Sequence, residues 1–149
     1  MSITIDGDTI LDLPPELSIT GRGAEHRKMG KITLEKRTDG KLYVNGVEVI
    51  RYISPEQERD HIEGKELRKQ MKDKKVLNAC VMDTLFSNNQ LIPDEWKIGY
   101  IFSWGTIFRK MDGCLYIEYM RWNVHSFIRG YLCLNYSWSK KDSAIILSS

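Results

Sequence analysis

The sequence predicts an α+β fold with an N-terminal three-stranded antiparallel meander, a central helical segment and a C-terminal aromatic-rich antiparallel sheet packed on a helix. Three patterns support this: turn signals near the N-terminus, one apolar helical stripe in mid-chain, and period-two alternation after residue 97. A chain of 149 residues is the size of one ordinary domain. We therefore expect a single domain over 1–149, with β-hairpins over 1–53, helices over 54–90 and the second sheet over 97–149.

The N-terminal residues carry hairpin and loop signals. Apolar and polar residues alternate over 3–5 and precede Asp6-Gly7, so residues 9–11 are predicted to return as a second strand. Residues 12–30 hold two prolines and three glycines around a basic cluster and predict a loop. That loop is either a solvated connector or a site for an anionic ligand, although its glycine spacing fits no phosphate-binding loop.

Residues 31–53 give the clearest strand pattern. Two dipeptides, Asp39-Gly40 and Asn45-Gly46, separate three alternating segments between Ile32 and Tyr52. Both dipeptides tolerate the positive φ angles of tight hairpin turns. The pattern therefore predicts a three-stranded meander.

A charged helix is predicted to begin at Ser54. Ser54 is followed by Pro55 and, three residues on, by Gln57, which is the arrangement of a capping box. Gly64 is expected to divide the segment into two pieces. The mixed charges up to Lys75 indicate either a solvated helix face or a charged docking surface.

A second helix is predicted over 74–87, with Asp73 as its cap and Asn88-Asn89 at its end. The evidence is an apolar stripe at helical spacing, formed by Val76, Leu77, Cys80, Val81, Thr84 and Leu85. This helix is expected to cover one face of the second sheet.

The second sheet is predicted from period-two alternation. One face of its first strand is expected to carry Tyr100, Phe102, Trp104, Thr106 and Phe108. Asp112-Gly113 then turns the chain into a strand that ends at Trp122. A third long strand is predicted over 127–138, and residues 144–147 add a short one.

Aromatic side chains crowd this part of the chain. All four tryptophans and five of the seven tyrosines lie between Trp96 and Trp138, and the same stretch is mildly basic. So many rings are expected to leave some exposed, and exposed rings stack on bases or anchor protein interfaces. The predicted binding residues are Trp104, Arg109, Tyr116, Arg121, Trp122, Arg129 and Tyr131.

The sequence offers little evidence for catalysis. His125, in a turn beside Arg121 and Arg129, is a candidate general base, although turn histidines are more often only polar turn residues. Glu118 lies in mid-strand and is a candidate catalytic acid or ligand contact, but a cross-strand pair with Arg129 is the simpler interpretation.

Composition and targeting signals restrict the other possibilities. The three cysteines lie far apart in the sequence, which indicates buried free thiols. The three histidines are scattered as well, so the sequence predicts neither a metal site nor a cofactor. The chain has neither a long apolar span nor a secretory signal pattern, so we expect no membrane partner and a cytoplasmic location.

Two strings resemble those of a known group of proteins. Residues 91–97 read Leu-Ile-Pro-Asp-Glu-Trp-Lys, and residues 104–109 read Trp-Gly-Thr-Ile-Phe-Arg. They are similar to the Leu-Ile-Pro-acid-Glu-Trp-Lys and Trp-Gly-Thr-Ile-aromatic-Arg strings shared by small uncharacterised bacterial proteins. The resemblance spans about residues 76–122 and extends to the hairpins over 30–53. It implies a bacterial source and no particular activity or site residue.

Three functions are compatible with these patterns. The first is a non-enzymatic macromolecular interaction module, of accessory or inhibitor type, that presents an aromatic and mildly basic sheet face to a protein partner. The second is single-stranded nucleic-acid binding, with rings on bases and arginines on phosphates. The third is a small hydrolase or nuclease that uses His125 or Glu118.

Overall fold

The computed structural model describes residues 1–149 and confirms the α+β class. The strands are β1 (Ser2–Asp6), β2 (Glu25–His26), β3 (Lys31–Lys36), β4 (Leu42–Val44), β5 (Val47–Tyr52), β6 (Ile62–Glu63), β7 (Tyr100–Phe102), β8 (Thr106–Arg109), β9 (Leu115–Asn123), β10 (Ser126–Cys133), β11 (Ser137–Trp138) and β12 (Asp142–Leu147). The helices are α1 (Pro55–Arg59), α2 (Gly64–Met71) and α3 (Ala79–Ser87). Two 3-10 turns, Asn89–Leu91 and Asp94–Trp96, connect α3 to β7.

The N-terminal and C-terminal strands belong to one ten-stranded sheet. Its order is β1-β3-β4-β5-β12-β7-β9-β8-β2, and β10 pairs with β9. The strand that joins the two halves is β12, which runs antiparallel to β5 and parallel to β7. A separate two-stranded sheet is formed by β6 and β11.

The sheet curves around α3, which packs on what we call its inner face. The largest buried cluster combines Val81, Met82 and Leu85 of α3 with Ile32 of β3 and Phe127 of β10, near opposite ends of the sheet. Such a cluster requires the two ends to approach the same helix. Helix α3 is therefore at the center of the larger core cluster.

The outer face is covered by different elements. Phe102 and Ile117 of the sheet pack there with Leu67 and Met71 of α2 and with Trp138 of β11. Both faces of the sheet are therefore buried, each over part of its area.

Helix α3 is shorter than predicted, and the expected cap at Asp73 is wrong. Asn78 caps the helix instead, because its side-chain oxygen accepts the N–H groups of Cys80 and Val81. Leu77 donates its N–H to the carbonyl of Ile145 in β12, so it is held in an extended segment. In sequence, the apolar pair Val76-Leu77 fits either an extended segment or the first turn of a helix. Its pairing with β12 selects the extended form.

Two strand predictions are also wrong. Residues 9–11 form no strand, and β1 pairs with β3 across a longer connection. The strand expected over 127–138 ends at Cys133, after which the chain leaves the sheet so that β11 can pair with β6.

The expected face of Tyr100 to Phe108 changes at Gly105. Phe102 and Trp104 lie on the outer side as a pair, but Thr106 and Phe108 point to the inner side. A turn at Trp104-Gly105 separates β7 from β8, so the alternation restarts. Gly105 is required there because a Cβ would lie 2.8 Å from the carbonyl oxygen of Leu77.

The capping box at Ser54 is confirmed. The Ser54 hydroxyl accepts the N–H of Gln57, and the Gln57 side chain accepts the N–H of Ser54. Gly64 begins α2 rather than continuing α1. None of the three helices has the length and apolar character needed to cross a bilayer.

Candidate functional site

The aromatic rings between Trp96 and Trp138 are mostly covered. Six are buried: Trp96, Phe102, Trp104, Phe108, Phe127 and Trp138. Five more are half-buried, namely Tyr100, Tyr116, Tyr119, Trp122 and Tyr131. Tyr136 is the one largely exposed ring, at 63%. The rings serve chiefly as core, which removes the main reason for expecting an aromatic binding face.

The predicted binding residues do not share one face. The inner side carries Tyr116, Trp122, Arg129 and Tyr131. Trp104 is buried on the outer side, where Arg121 lies over the ring of Tyr100. Arg109 packs against Gly21. Their binding role stays a prediction: four of the seven share the inner side, and Trp104, Arg109 and Arg121 lie apart from them.

Glu118 lies at the center of a small polar cluster on the inner face. It is fully buried on β9, and Nη1 of Arg129 lies 3.7 Å from its carboxyl oxygen. The same Arg129 atom donates a 2.9 Å hydrogen bond to Asp83 of α3. The cross-strand pair expected between Glu118 and Arg129 is therefore confirmed, and Asp83 adds a second carboxyl group that the sequence pattern did not single out.

One cation cannot balance two carboxylates, so this cluster retains a proton. Burial, followed by the charge of Asp83, raises the pKa of Glu118 to about 9. Burial also raises the pKa of Asp83, although hydrogen bonding to Glu118 and the charge of Arg129 oppose this shift. At neutral pH we assign the proton to Glu118 and the negative charge to Asp83, which pairs with Arg129. Burial likewise raises the pKa of Tyr131 above its usual range.

The catalytic candidates from the sequence are poorly placed for chemistry. Glu118 has no exposed surface, so a substrate cannot reach it without rearrangement. His125 is exposed in the β9–β10 turn, and its side chain has no hydrogen-bond partner. A general base usually needs a group that orients it, and His125 has none here.

A second polar group, missed by sequence reasoning, surrounds His26. Its Nδ1 lies 2.8 Å from the hydroxyl oxygen of Thr106, and its Nε2 lies 2.9 Å from the carbonyl oxygen of Asp8. The thiol of Cys80 lies 3.7 Å from the same Nε2 atom. Burial, then the negative charges of nearby aspartates, raises the pKa of Cys80 to about 12, so this thiol is not an activated nucleophile. The group fixes the loop before β3 against α3.

A groove of about 470 Å³ runs between the edge of β1 and α3. We call it the β1–α3 groove. It is lined by Ile3, Thr4, Ile5, Asp6, Thr9, Leu11, Asp12, Cys80, Asp83, Thr84, Ser87 and Asn88. Four consecutive residues of β1 contribute, with side chains of both orientations, so the groove follows the strand edge rather than one face.

The groove is acidic. Its lining includes Asp6, Asp12 and Asp83 and no lysine or arginine. The charges of Asp83, Asp6 and Asp8 all contribute to the raised pKa of Cys80, which marks a negative potential inside the groove.

The backbone of β1 is unpaired on its groove side. Gly7 donates its N–H to Gly30, and Lys36 donates to the carbonyl of Met1, so the odd-numbered residues carry the ladder to β3. The N–H and C=O groups of Ser2, Thr4 and Asp6 therefore point away from β3. No strand pairs with them.

Comparison with protein-family models, curated proteins and solved structures finds no match to this chain.

Proposed function

We propose that this protein is a non-enzymatic interaction module that binds an extended, basic segment of a protein partner in the β1–α3 groove. The observation that carries the proposal is the unpaired edge of β1 beside an acidic groove. Strand addition to a free sheet edge is a general mode of peptide recognition, in which main-chain hydrogen bonds give affinity and side-chain pockets give specificity.

The groove defines the chemistry of the partner segment. Outward N–H and C=O groups at Ser2, Thr4 and Asp6 match a partner strand that alternates hydrogen-bonding groups at the same spacing. Ile3 and Ile5 are half-buried and offer apolar contact to every second partner side chain. Asp6 and Asp12 are exposed and favour lysine or arginine at the positions between.

The other two hypotheses have less support from the geometry. Arg121 and Arg129 lie on opposite faces of the sheet, so they cannot follow one phosphate backbone as single-stranded nucleic-acid binding requires. Hydrolysis through His125 or Glu118 stays a hypothesis, but neither group combines access with an orienting partner. A cytoplasmic location belongs to the proposal, and the three free cysteines are compatible with it.

The test uses Thr4, whose N–H points into the groove. Thr4→Pro removes that donor and places a ring on the strand edge without breaking a hydrogen bond to β3. The probe is a fluorescent peptide of about eight residues that alternates valine and lysine. We expect saturable anisotropy changes with the native protein and loss of binding by at least about tenfold in Thr4→Pro.

Thr4→Val is the matched control, because it keeps the backbone donor and loses the same hydroxyl contact to Thr33. It should bind like the native protein. A peptide that alternates valine and glutamate should not bind. Equal binding of the probe by Thr4→Pro and Thr4→Val, at equal thermal stability, would contradict strand addition at this edge.

A further inference from the structure

A second cavity, of about 650 Å³, lies where β12 begins, beside Lys141 and Ser143. We call it the Arg51 pocket. It is lined by Arg51, Ile53, Ile98, Gly99, Lys140, Lys141 and Ser143. Three of these seven residues are cationic and none is acidic, which is the reverse of the β1–α3 groove. Its volume is within the range of small-molecule sites, roughly 300–1,000 Å³.

Arg51 is held firmly by one side of its guanidinium. Its Nε donates a 2.7 Å hydrogen bond to the hydroxyl of Ser143, which in turn donates to the carbonyl of Tyr100. The side chain is half-buried. Its orientation is therefore fixed before any ligand arrives, and fixed orientation reduces the entropy cost of binding.

The terminal nitrogens of Arg51 have no protein acceptor. No hydrogen bond or ion pair within 4.0 Å involves either of them. Glu95 is the acid whose charge reaches Arg51, and burial nevertheless lowers the pKa of the guanidinium. A partly desolvated cation with free donors costs free energy unless an anion completes it.

The backbone around Arg51 is shaped to let it reach the pocket. Gly99 has φ +73°, and a Cβ at this position would lie 2.6 Å from the carbonyl oxygen of Lys141 and 3.3 Å from Nη2 of Arg51. A side chain at residue 99 would therefore push the guanidinium and the lysine turn apart. Glycine keeps Arg51, Lys140 and Lys141 together around one opening.

We propose that the Arg51 pocket binds the phosphate group of a small phosphorylated molecule. A planar guanidinium suits two phosphate oxygens at once, and the two lysine ammonium groups balance the second negative charge of the dianion. Ile98 is 76% exposed beside the cations, and Ile53 lines the same wall. These two side chains give an apolar surface for the organic part of the ligand.

The test follows backbone amide shifts by NMR during titration with three probes: inorganic phosphate, adenosine monophosphate and adenosine. Saturable shifts at Gly99, Lys141 and Ser143 with adenosine monophosphate, and none with adenosine, are expected. If inorganic phosphate binds as tightly as adenosine monophosphate, the pocket is a site for free phosphate. If inorganic phosphate binds more weakly than the nucleotide, the pocket recognises the phosphate group as part of a larger molecule. Equal binding of adenosine, or shifts spread over all lysines, would overturn the proposal.

Arg51→Gln should weaken phosphate binding by at least about tenfold, because the charged bidentate contact is lost. Arg37→Gln removes the same charge from an exposed arginine on the β3–β4 turn and should leave binding unchanged. The double substitution Lys140→Gln and Lys141→Gln tests the site without touching the Ser143 hydrogen bond, should Arg51→Gln unfold the protein. Native affinity in the double variant or in a folded Arg51→Gln variant would refute the proposal.

Discussion

The buried carboxyl pair of Asp83 and Glu118 makes stability fall as pH rises. In the unfolded chain Glu118 releases its proton near the ordinary value of 4.5, whereas in the folded protein it keeps the proton to about pH 9. Between these values the unfolded state binds fewer protons than the folded state. Each pH unit in that window therefore lowers the free energy of unfolding by at most about 1.4 kcal/mol.

Glu118→Gln removes this titration and keeps the shape of the neutral acid. The glutamine amide is isosteric with the protonated carboxyl and, like it, carries a hydrogen-bond donor but no charge. From about pH 5.5 to about pH 8 the native protein should lose up to about 3.5 kcal/mol relative to the variant, which is 2.5 pH units at the maximal slope. The variant should then be the more stable protein at the upper pH.

The assay is urea unfolding of both proteins at several pH values across that window. Glu16→Gln is the control, since Glu16 is exposed and makes no ion pair, and its pH profile should match that of the native protein. Infrared spectra at neutral pH should show a protonated carboxyl band in the native protein that is absent from Glu118→Gln. Parallel stability profiles for the native protein and Glu118→Gln would refute the assignment of the proton.

Substitutions at Gly105 and Asn78, and chemical labelling of Cys80, test the packing that positions the groove. Gly105→Ala should destabilise the fold by about 2 kcal/mol or more in thermal unfolding, because the added Cβ would meet backbone atoms of Leu77 and Asn78. Gly130→Ala is the control: its Cβ would meet only the Tyr119 side chain, so its loss of stability should be smaller. Asn78→Ala should cost about 3 kcal/mol in thermal unfolding, since it removes the α3 cap and leaves the carbonyls of Gly7 and Arg27 without their donor. A loss below about 1 kcal/mol would show that the cap and these two hydrogen bonds contribute little. Cys80 should react with iodoacetamide at pH 7.5 more slowly in the native protein than in urea, because its pKa of about 12 suppresses the thiolate and burial limits access to the thiol. Mass spectrometry measures both rates, and equal rates would show that the groove opens readily.

Local signals in the sequence located several elements well. The Ser54 capping box and the Gly64 break follow from short-range chemistry, so they were readable without a fold. The pair of Glu118 and Arg129 was also readable, since a lone carboxyl in mid-strand needs a partner on the next strand.

Features that depend on distant pairing were not readable. The sequence of residues 76–77 fits a helical stripe as well as it fits an extended segment, and only the contact with β12 shows that these residues are extended. The insertion of β12 between β5 and β7 has no local signature, because alternation identifies a strand and says nothing of its neighbours. Asp83 is the one acid of the apolar helix α3, and only that isolation marks it in the sequence.

The crowding of aromatic rings does not create an exposed aromatic face, for the same reason. The expectation of exposed rings assumes that a single helix covers one face of the sheet. In the structure α3 covers the inner face, and α2 with β11 covers the outer face. Two covers bury twice as many rings. An edge such as β1, which carries few large side chains, is then the more accessible surface.

The stability of the carboxyl pair and the binding capacity of the β1–α3 groove can be separated by experiment. Asp83 lines the groove, but Arg129 already neutralises it at 2.9 Å, so the attraction for a basic peptide rests mainly on Asp6 and Asp12. Glu118→Gln should consequently alter the pH dependence of unfolding without altering peptide affinity. Replacing Asp6 and Asp12 by asparagine should do the opposite. If instead Glu118→Gln abolished peptide binding at unchanged stability, the pair would belong to the binding site itself, and the proposed role of the β1 edge would have to be abandoned.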